Sequence, residues 1–184
     1  MKLCIDAGHG QDNRKPGLYD TGAVCGELQE ATVVLRWALA LREACEKRGI
    51  PVFMTRTAAS DITPLRLRAT RAVKAGCTHL ISLHVNDAEG NPQGYETLYR
   101  TTRSREFATM VHHNVQSLLG LKDRGIKPRP DLGVIGNCGL DSCLLELGFI
   151  TNASDMKVVT SGLVISSTCN FLAAQLAAWR DAHR

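Results

Sequence analysis

Short apolar segments alternate along this chain with longer segments whose apolar residues recur at helical spacing. The apolar segments predict strands at residues 2–6, 50–55, 78–84, 94–99 and 142–147, with a further short strand at 132–135 inside the loop-rich segment 123–139. The helical spacing predicts helices at residues 27–48, 64–75, 103–119 and 160–180. This alternation is typical of α/β proteins, so we expect an α/β fold with a largely parallel sheet.

Length and composition indicate one globular domain. A chain of 184 residues can bury about 70% of its unfolded surface, so we expect a single domain over residues 1–184. Hydrophobic residues at 44% and charged residues at 22% exclude a disordered or coiled-coil chain. The net charge of +4 is too small to indicate a nucleic-acid partner. No run of about 18 uninterrupted apolar residues occurs, so we expect no membrane insertion.

The chain start and the cysteines indicate a reducing place of synthesis. Met1 and Lys2 lead directly into the first predicted strand, so we expect no signal peptide and synthesis in the cytoplasm. The seven cysteines are an odd number without a C-x-x-C pair, which argues against a disulfide framework or a cysteine zinc site. We expect reduced, mostly buried thiols. The spacing leaves open an approach of Cys138 to Cys143.

Candidate catalytic side chains follow the predicted strands. His9 comes after the first strand, His84 ends the third, and Glu146 lies near the end of the last. Glu27 and Glu30 are predicted to open the first long helix, three residues apart and therefore close on its surface. Ligands in such sheets bind at the carboxyl ends of the strands. Two histidines and one carboxylate form a familiar zinc set, and a further glutamate would then be the general base.

Other interpretations of these residues remain open at this point. A histidine at a strand end is often a hydrogen-bonded structural residue, and glutamates in a first helical turn often stabilise the helix dipole. Gly8-His9-Gly10 follows a strand and is also compatible with a phosphate-binding loop, although it lacks a complete G-x-G-x-x-G. Four other histidines are set aside because of their positions at the opposite strand end, mid-helix or near the terminus: His79, His112, His113 and His183.

Motifs spread over nearly the whole chain resemble one known family. They are IDAGHG ending at Gly10, GELQE ending at Glu30, ISLHVN ending at Asn86, GYE ending at Glu96, DRGIK ending at Lys127 and LLELGFITN ending at Asn152. Shorter matches are Gly22-Ala23, Thr55-Arg56 and Leu67-Arg68. In this order they resemble the zinc-dependent N-acetylmuramoyl-L-alanine amidases of the amidase-3 type.

The resemblance implies a fold, a metal and a reaction. The implied fold is a twisted mixed sheet of about six strands with helices on both faces. The implied zinc ligands are His9, Glu30 and His84, with Glu146 as the catalytic carboxylate, and Glu30 is preferred to Glu27 as the helix-side ligand. We also expect Asn86 and Glu27 in the substrate groove. The implied reaction hydrolyses the amide between the lactyl group of N-acetylmuramic acid and the L-alanine of the peptidoglycan stem peptide. Arg56 and Arg68 are expected to be structural ion-pair residues rather than substrate-binding groups.

The same resemblance predicts an enzyme with an open groove. Cell-division members of the family carry a helical insertion that covers the zinc, whereas only residues 87–93 separate Asn86 from Gly94 here. We expect a monomer that acts on peptidoglycan as a phage lysis enzyme, an endolysin, after release through the inner membrane. Two alternatives are a catalytically silent peptidoglycan-binding module and a metallopeptidase that cuts within the stem peptide.

Overall fold

The computed structural model describes residues 1–135 and 139–183, which form a single α/β domain. The strands within these ranges are β1 (Leu3–Ala7), β2 (Gly10–Gln11), β3 (Tyr19–Asp20), β4 (Val24–Cys25), β5 (Leu28–Gln29), β6 (Val52–Met54), β7 (His79–Asn86), β8 (Tyr95–Tyr99), β9 (Asp123–Pro128) and β10 (Asp141–Phe149). The helices are α1 (Glu30–Glu46), α2 (Leu65–Lys74), α3 (Thr102–Leu119), α4 (Ala153–Val159) and α5 (Gly162–Ala182).

A six-stranded sheet forms the centre of the domain in the order β6-β1-β7-β10-β8-β9. The four strands β6, β1, β7 and β10 run parallel, β8 is antiparallel to β10, and β9 is parallel to β8. The expected mixed, mostly parallel sheet of six strands is therefore confirmed. The carboxyl ends of β1, β7 and β10 meet at one edge, which is where ligands bind in such sheets.

The two faces of the sheet bury different sets of side chains, since successive residues of a strand point to opposite sides. On one face Ile5, Ile81 and Leu145 belong to the core that α1, α3 and α5 cover. On the other face Cys4 and Leu144 pack with residues of α2 and of the segment that follows β9. Helices on both faces are thus confirmed, and so is the predicted apolar face of α1, which is buried at Val33, Val34, Trp37, Leu41 and Cys45.

The first helix begins at Glu30, and the prediction that it begins at Glu27 is wrong. Residues 24–29 form the hairpin β4–β5, in which Gly26 has φ +58° at the turn. Glu27 is exposed in that turn and is not on the helix with Glu30. The helix cannot start earlier because residues 24 and 25 pair with residues 29 and 28 as extended backbone.

The segment after α3 also differs from the prediction. Residues 123–128 form the edge strand β9, although their sequence has no apolar alternation. The predicted strand at 132–135 is wrong, because Val134 and Ile135 lie in a turn and are buried against the α2 side of the sheet. The short helix α4 was not predicted; the Asn152 side chain caps it by accepting hydrogen bonds from the Ser154 and Asp155 backbone N–H groups.

The cysteines and the last helix bear on two further predictions. Five of the six described cysteines are buried, as expected, and Cys25 is exposed. Cys138 lies outside the described residues, and so does its possible approach to Cys143.

Helix α5 has the length and apolar character of a membrane span, and 33% of its apolar 18-residue stretch is buried in the fold. Core helices of soluble proteins share these properties, so this is weak evidence for a span.

Candidate metal centre

The structure brings His9, Glu30 and His84 together at the carboxyl edge of the sheet. One donor atom from each lies within 4.8 Å of the others. Glu30 Oε1 lies 3.0 Å from His9 Nε2 and 2.9 Å from His84 Nδ1. His9 and Glu30 are buried, and His84 is half-buried. The cluster can therefore be reached from solvent on the His84 side.

The backbone on either side of His9 allows this close approach. Gly8 precedes it, and a Cβ at Gly8 would lie 2.5 Å from His84 Cε1, so only glycine leaves room for the second imidazole. His9 itself has φ +62°, a conformation that L-residues seldom adopt. The Gly8 N–H donates to the Leu83 carbonyl at 3.1 Å, which fixes the loop to the strand that carries His84.

The Glu30 carboxylate is held by backbone groups as well as by the two histidines. Oε1 accepts a hydrogen bond from the Val85 N–H at 3.0 Å, and Oε2 accepts one from the Ala23 N–H at 3.0 Å. A Cβ at Gly22 would lie 2.5 Å from Glu30 Oε2, and Gly22 also has φ +66°. The residue pair Gly22-Ala23 thus forms a close-fitting wall behind this carboxylate.

Asp20 supports His9 from the side opposite Glu30. Its Oδ2 lies 3.1 Å from His9 Nδ1 and accepts a hydrogen bond from Asn13 Nδ2 at 2.6 Å, while its Oδ1 accepts from the Gly22 N–H. A carboxylate on the second ring nitrogen of a metal-binding histidine fixes the tautomer and the orientation of the ring. Asp20 was not predicted. The single indication in the sequence is its place on the chain between His9 and Glu30.

The electrostatics of the cluster favour a cation. Burial alone would lower the pKa of His9, but hydrogen bonds and charges of Glu30 and Asp20 outweigh it and raise that pKa. Burial alone would raise the pKa of Glu30, but the two histidines outweigh it and hold this pKa far below its usual range. Among the contacts of the described residues, no lysine or arginine reaches the Glu30 carboxylate. Within the described part of the chain, the groups in contact with the Glu30 carboxylate are therefore imidazoles and backbone N–H groups.

Two buried arginines lie beneath the ligand loop. Arg68 Nη1 donates to Asp6 Oδ1 at 2.6 Å and to the Ala7 carbonyl, and Arg68 Nη2 donates to the His9 carbonyl. The expectation of a structural ion pair is confirmed for Arg68. Arg56 is also buried and structural, but the expected ion pair is wrong for it, because its partners are carbonyl groups rather than a carboxylate.

Arg56 connects two ligand-bearing segments. Its Nη2 donates to the Gly8 carbonyl at 2.8 Å and to the Ala31 carbonyl at 2.7 Å, and its Nε donates to the Ala7 carbonyl. Gly8 precedes His9, and Ala31 follows Glu30. One guanidinium, 1% exposed, thus fixes the spacing between the β1 loop and the start of α1.

Glu146 lies next to this cluster on the central strand β10. It is opposite His84 in the β7–β10 register and opposite Glu96 in the β8–β10 register. Its Oε2 is enclosed and has no hydrogen-bond partner among the described residues. Burial, and then the nearby carboxylates of Glu30 and Glu96, raise the pKa of Glu146 well above its usual range. This carboxyl group can therefore hold a proton.

The two predicted groove residues lie in different places. Asn86 ends β7 next to the cluster, and its Nδ2 donates to Glu96 Oε1 at 3.3 Å. Glu27 is exposed in the β4–β5 turn, away from the helix start on which it was expected. Residues 87–94 contain no helix, so no inserted helix covers the cluster from this loop.

The residues present fit a zinc ion. Two imidazole nitrogens and one carboxylate oxygen are zinc ligands, and three protein ligands leave a fourth position for water or substrate. The enclosed, unpartnered Oε2 of Glu146 is the type of acceptor that a reacting water needs nearby. Asp20 provides the second carboxylate that orients a metal-binding histidine.

Known proteins are similar to this chain in fold and in sequence. The catalytic domain of the amidase CwlV from Bacillus (Paenibacillus) polymyxa var. colistinus superposes with a TM-score of 0.88 at 27% identity, over 98% of this chain and 99% of that one. CwlM, an N-acetylmuramoyl-L-alanine amidase of Bacillus licheniformis, is 30% identical over 91% of this chain and 64% of its own length. The sporulation-specific N-acetylmuramoyl-L-alanine amidase of Bacillus subtilis is 31% identical over 90% of this chain and 63% of its own. The chain thus spans less than two thirds of these two relatives.

The match to the family as a whole covers most of the chain. The family model described as N-acetylmuramoyl-L-alanine amidase matches residues 3–168, a range that contains the three candidate ligands and Glu146. The chain belongs to this family, the amidase-3 type of N-acetylmuramoyl-L-alanine amidase.

Proposed function

We propose that this protein is a zinc-dependent N-acetylmuramoyl-L-alanine amidase whose single domain, residues 1–184, carries the activity. It hydrolyses the amide between the lactyl group of N-acetylmuramic acid and the L-alanine of the stem peptide. The observation that carries the proposal is the cluster of His9, Glu30 and His84 beside Glu146 in a chain of this family.

Each proposed residue has a distinct role. His9, Glu30 and His84 hold the metal, and Asp20 keeps the His9 ring in place through its Nδ1. Zinc supplies Lewis acidity, which makes water a better nucleophile at neutral pH and polarises the scissile carbonyl. Glu146 takes the proton from the attacking water at Oε2 and delivers it to the nitrogen that leaves when the C–N bond breaks. Asn86 lies at the end of β7, where we place the groove, and exposed Glu27 is a candidate for the rim of the groove.

The first test is the identity of the products. Purified sacculi are treated with the protein, with chelator, and with chelator followed by zinc, and the soluble products are weighed by mass spectrometry. We expect free stem peptides that begin at L-alanine, lost with chelator and restored by zinc. Peptides cut internally would indicate the metallopeptidase instead. No products under any metal condition would favour the binding module.

Two pairs of variants test the proposed residues. His84→Ala should lose bound zinc, measured by elemental analysis, whereas His113→Ala at an exposed position of α3 should keep it. Glu146→Gln should keep zinc and lose about 10²–10⁴-fold in turnover, the usual contribution of a general acid–base. The control Glu106→Gln, also exposed on α3, should have unchanged turnover. Normal turnover in Glu146→Gln would show that Glu146 is not the general acid–base.

The biological setting that we propose is cell lysis by a phage, with synthesis in the cytoplasm and action on peptidoglycan after the inner membrane opens. The absence of a helix in residues 87–94 supports an enzyme that needs no activator. Expression in the bacterial cytoplasm should be harmless until the inner membrane is permeabilised, and turbidity should then fall. Unchanged turbidity, with active protein in the extract, would argue against a lytic role.

A further inference from the structure

A second polar cluster lies beside Glu146 on the sheet edge formed by β8 and β9. Its centre is Glu96, which is 7% exposed and directly opposite Glu146 in the strand register. Glu96 Oε2 accepts hydrogen bonds from Arg124 Nε at 2.8 Å and from Lys127 Nζ at 2.6 Å, and Oε1 accepts one from Asn86 at 3.3 Å. Both oxygens of Glu96 are therefore already in use.

The charges of this cluster do not cancel. Arg124 and Lys127 share a single carboxylate oxygen, which leaves one positive charge in excess next to the proposed reaction centre. Burial alone would raise the pKa of Glu96, but Lys127 and Arg124 outweigh it and lower that pKa, so Glu96 carries its one negative charge at neutral pH. The neighbouring Arg129 is neutralised separately by Asp131 at 2.8 Å.

Arg124 is held in one orientation, and four of its five N–H donors are unused in the contacts of the described residues. Nε is bound to Glu96, and the guanidinium carbon lies 4.9 Å from the centre of the Phe149 ring, which supports the planar group from one side. Its two Nη nitrogens contact no acceptor among the described residues and reach solvent, since the side chain is 29% exposed. A fixed guanidinium with two free Nη groups is suited to bidentate binding of a carboxylate.

The distance from the reaction centre matches a carboxylate on the second residue of a bound peptide. Neighbouring strands lie about 4.8 Å apart, so Glu96 on β8 is one strand spacing from Glu146 on β10, and the side chains of Arg124 and Lys127 extend from β9 to Glu96. Two extended residues span at most about 7 Å. A group on the second residue of the stem peptide can therefore reach from the scissile amide above β10 to Glu96 on β8, beside which the Arg124 guanidinium lies.

We propose that Arg124 and Lys127 form a subsite that binds a free carboxylate on the second residue of the stem peptide. The inference rests on the proposed function, because that function places the scissile bond beside Glu146. A stem peptide whose second residue is glutamate linked through its side chain retains such an α-carboxylate. The subsite distinguishes this carboxylate from the corresponding carboxamide, which has no charge to neutralise the excess cation.

The test uses two probes that differ in one group, N-acetylmuramoyl-L-alanyl-D-isoglutamate and its isoglutamine counterpart. The zinc-loaded wild-type protein should hydrolyse the carboxylate probe with a kcat/KM higher by about 10- to 100-fold, the range expected for charge-assisted hydrogen bonds. Arg124→Gln should lose this preference, chiefly through a higher KM for the carboxylate probe, with a smaller change on the carboxamide probe. Lys127→Gln should lose part of it. The control Arg105→Gln, exposed on α3, should keep it.

Two results would overturn the subsite. Equal kcat/KM of the wild-type protein for the two probes would do so, and so would an equal loss on both probes in Arg124→Gln, because that pattern indicates a structural role. Arg124→Lys keeps the positive charge but lacks the planar guanidinium, so it should retain only part of the preference. Thermal unfolding is measured to verify that each variant folds.

A binding measurement separates this inference from the proposed function. The dipeptide L-alanyl-D-isoglutamate and its isoglutamine counterpart are titrated into the protein and followed by NMR shifts of backbone amides. Tighter binding of the carboxylate form that depends on Arg124 would support the subsite even if no amide is hydrolysed. Hydrolysis of the amide without any such selectivity would support the proposed amidase activity and refute the subsite.

Discussion

The buried Arg68 offers the sharpest test of how the ligand loop is held. Arg68 is 1% exposed, and its two terminal nitrogens donate four hydrogen bonds, to Asp6 Oδ1, the Ala7 and His9 carbonyls and Thr63 Oγ1. Arg68→Met keeps an unbranched side chain of similar length but removes every donor. Of the hydrogen bonds that the described residues donate to it, the fully buried Asp6 carboxylate would then keep those from Ser82 and Thr55.

The expected destabilisation of Arg68→Met follows from the loss of one partner of a buried ion pair, which lowers the free energy of unfolding by about 3–5 kcal/mol. For a domain of this size each kcal/mol lowers the melting temperature by about 2–4 °C. We therefore expect Arg68→Met to melt roughly 6–20 °C below the wild-type protein. Because total stabilities are about 5–15 kcal/mol, this loss is a large fraction of the total and should be measurable in both chemical and thermal unfolding.

The assay is chemical and thermal unfolding in the presence of chelator, so that bound metal adds nothing to stability. The control is Arg66→Met, the same substitution two residues earlier on α2 at an exposed position, which should change stability by less than about 0.5 kcal/mol. The double variant with Asp6→Asn should be less destabilised than the sum of the single variants, since the two groups contact each other. Equal effects of Arg68→Met and Arg66→Met, or strict additivity with Asp6→Asn, would refute the reasoning.

Three further predictions concern the candidate metal centre and its support. Gly8→Ala should weaken zinc binding, measured by competition with a chromogenic chelator, because the new Cβ would lie 2.5 Å from His84 Cε1. The control is Gly162→Ala, at a glycine that likewise lacks a positive φ and whose Cβ would meet nothing within 4 Å; equal affinities in the two variants would contradict the argument. Asp20→Ala should lower zinc affinity by about 10- to 100-fold, the usual cost of removing a carboxylate from a ligand histidine, and an unchanged affinity would show that Asp20 does not orient His9. Burial raises the pKa of Asp6, but Arg68, Ser82 and Thr55 outweigh it and lower that pKa, so its stabilisation is complete above the unfolded value of about 3.9 and is lost as pH falls through the folded value. The difference in unfolding free energy between wild type and Asp6→Asn should accordingly shrink below about pH 4, and a difference that is constant down to pH 2 would contradict the assigned ion pair.

The parts of the fold that could be predicted are those fixed by local periodicity. The buried face of α1 and the strands β1, β7 and β10 were found because each repeats its apolar residues at the spacing of its own element. The edge strand β9 was missed, since Asp123–Pro128 has no alternation and is a strand through its pairing with β8. The start of α1 was misplaced for a similar reason, because the β4–β5 hairpin depends on backbone pairing that no periodicity records.

For the candidate site, the motifs predicted the ligand side chains but not the groups that position them. The motifs name His9, Glu30 and His84, yet the spacing between the first two depends on Arg56, which is 48 residues from Gly8 and 25 residues from Ala31 in sequence. Every residue has a main-chain carbonyl group, so the sequence does not indicate which carbonyl groups Arg56 contacts. Because its partners are backbone atoms, Arg56 can hold the β1 loop and α1 together whatever side chains line the groove. The exposed residues 14–18 of the loop between His9 and Glu30 can therefore vary without moving the candidate ligands, provided that Asp20, Gly22 and Ala23 keep their contacts and the two carbonyl groups still reach this guanidinium.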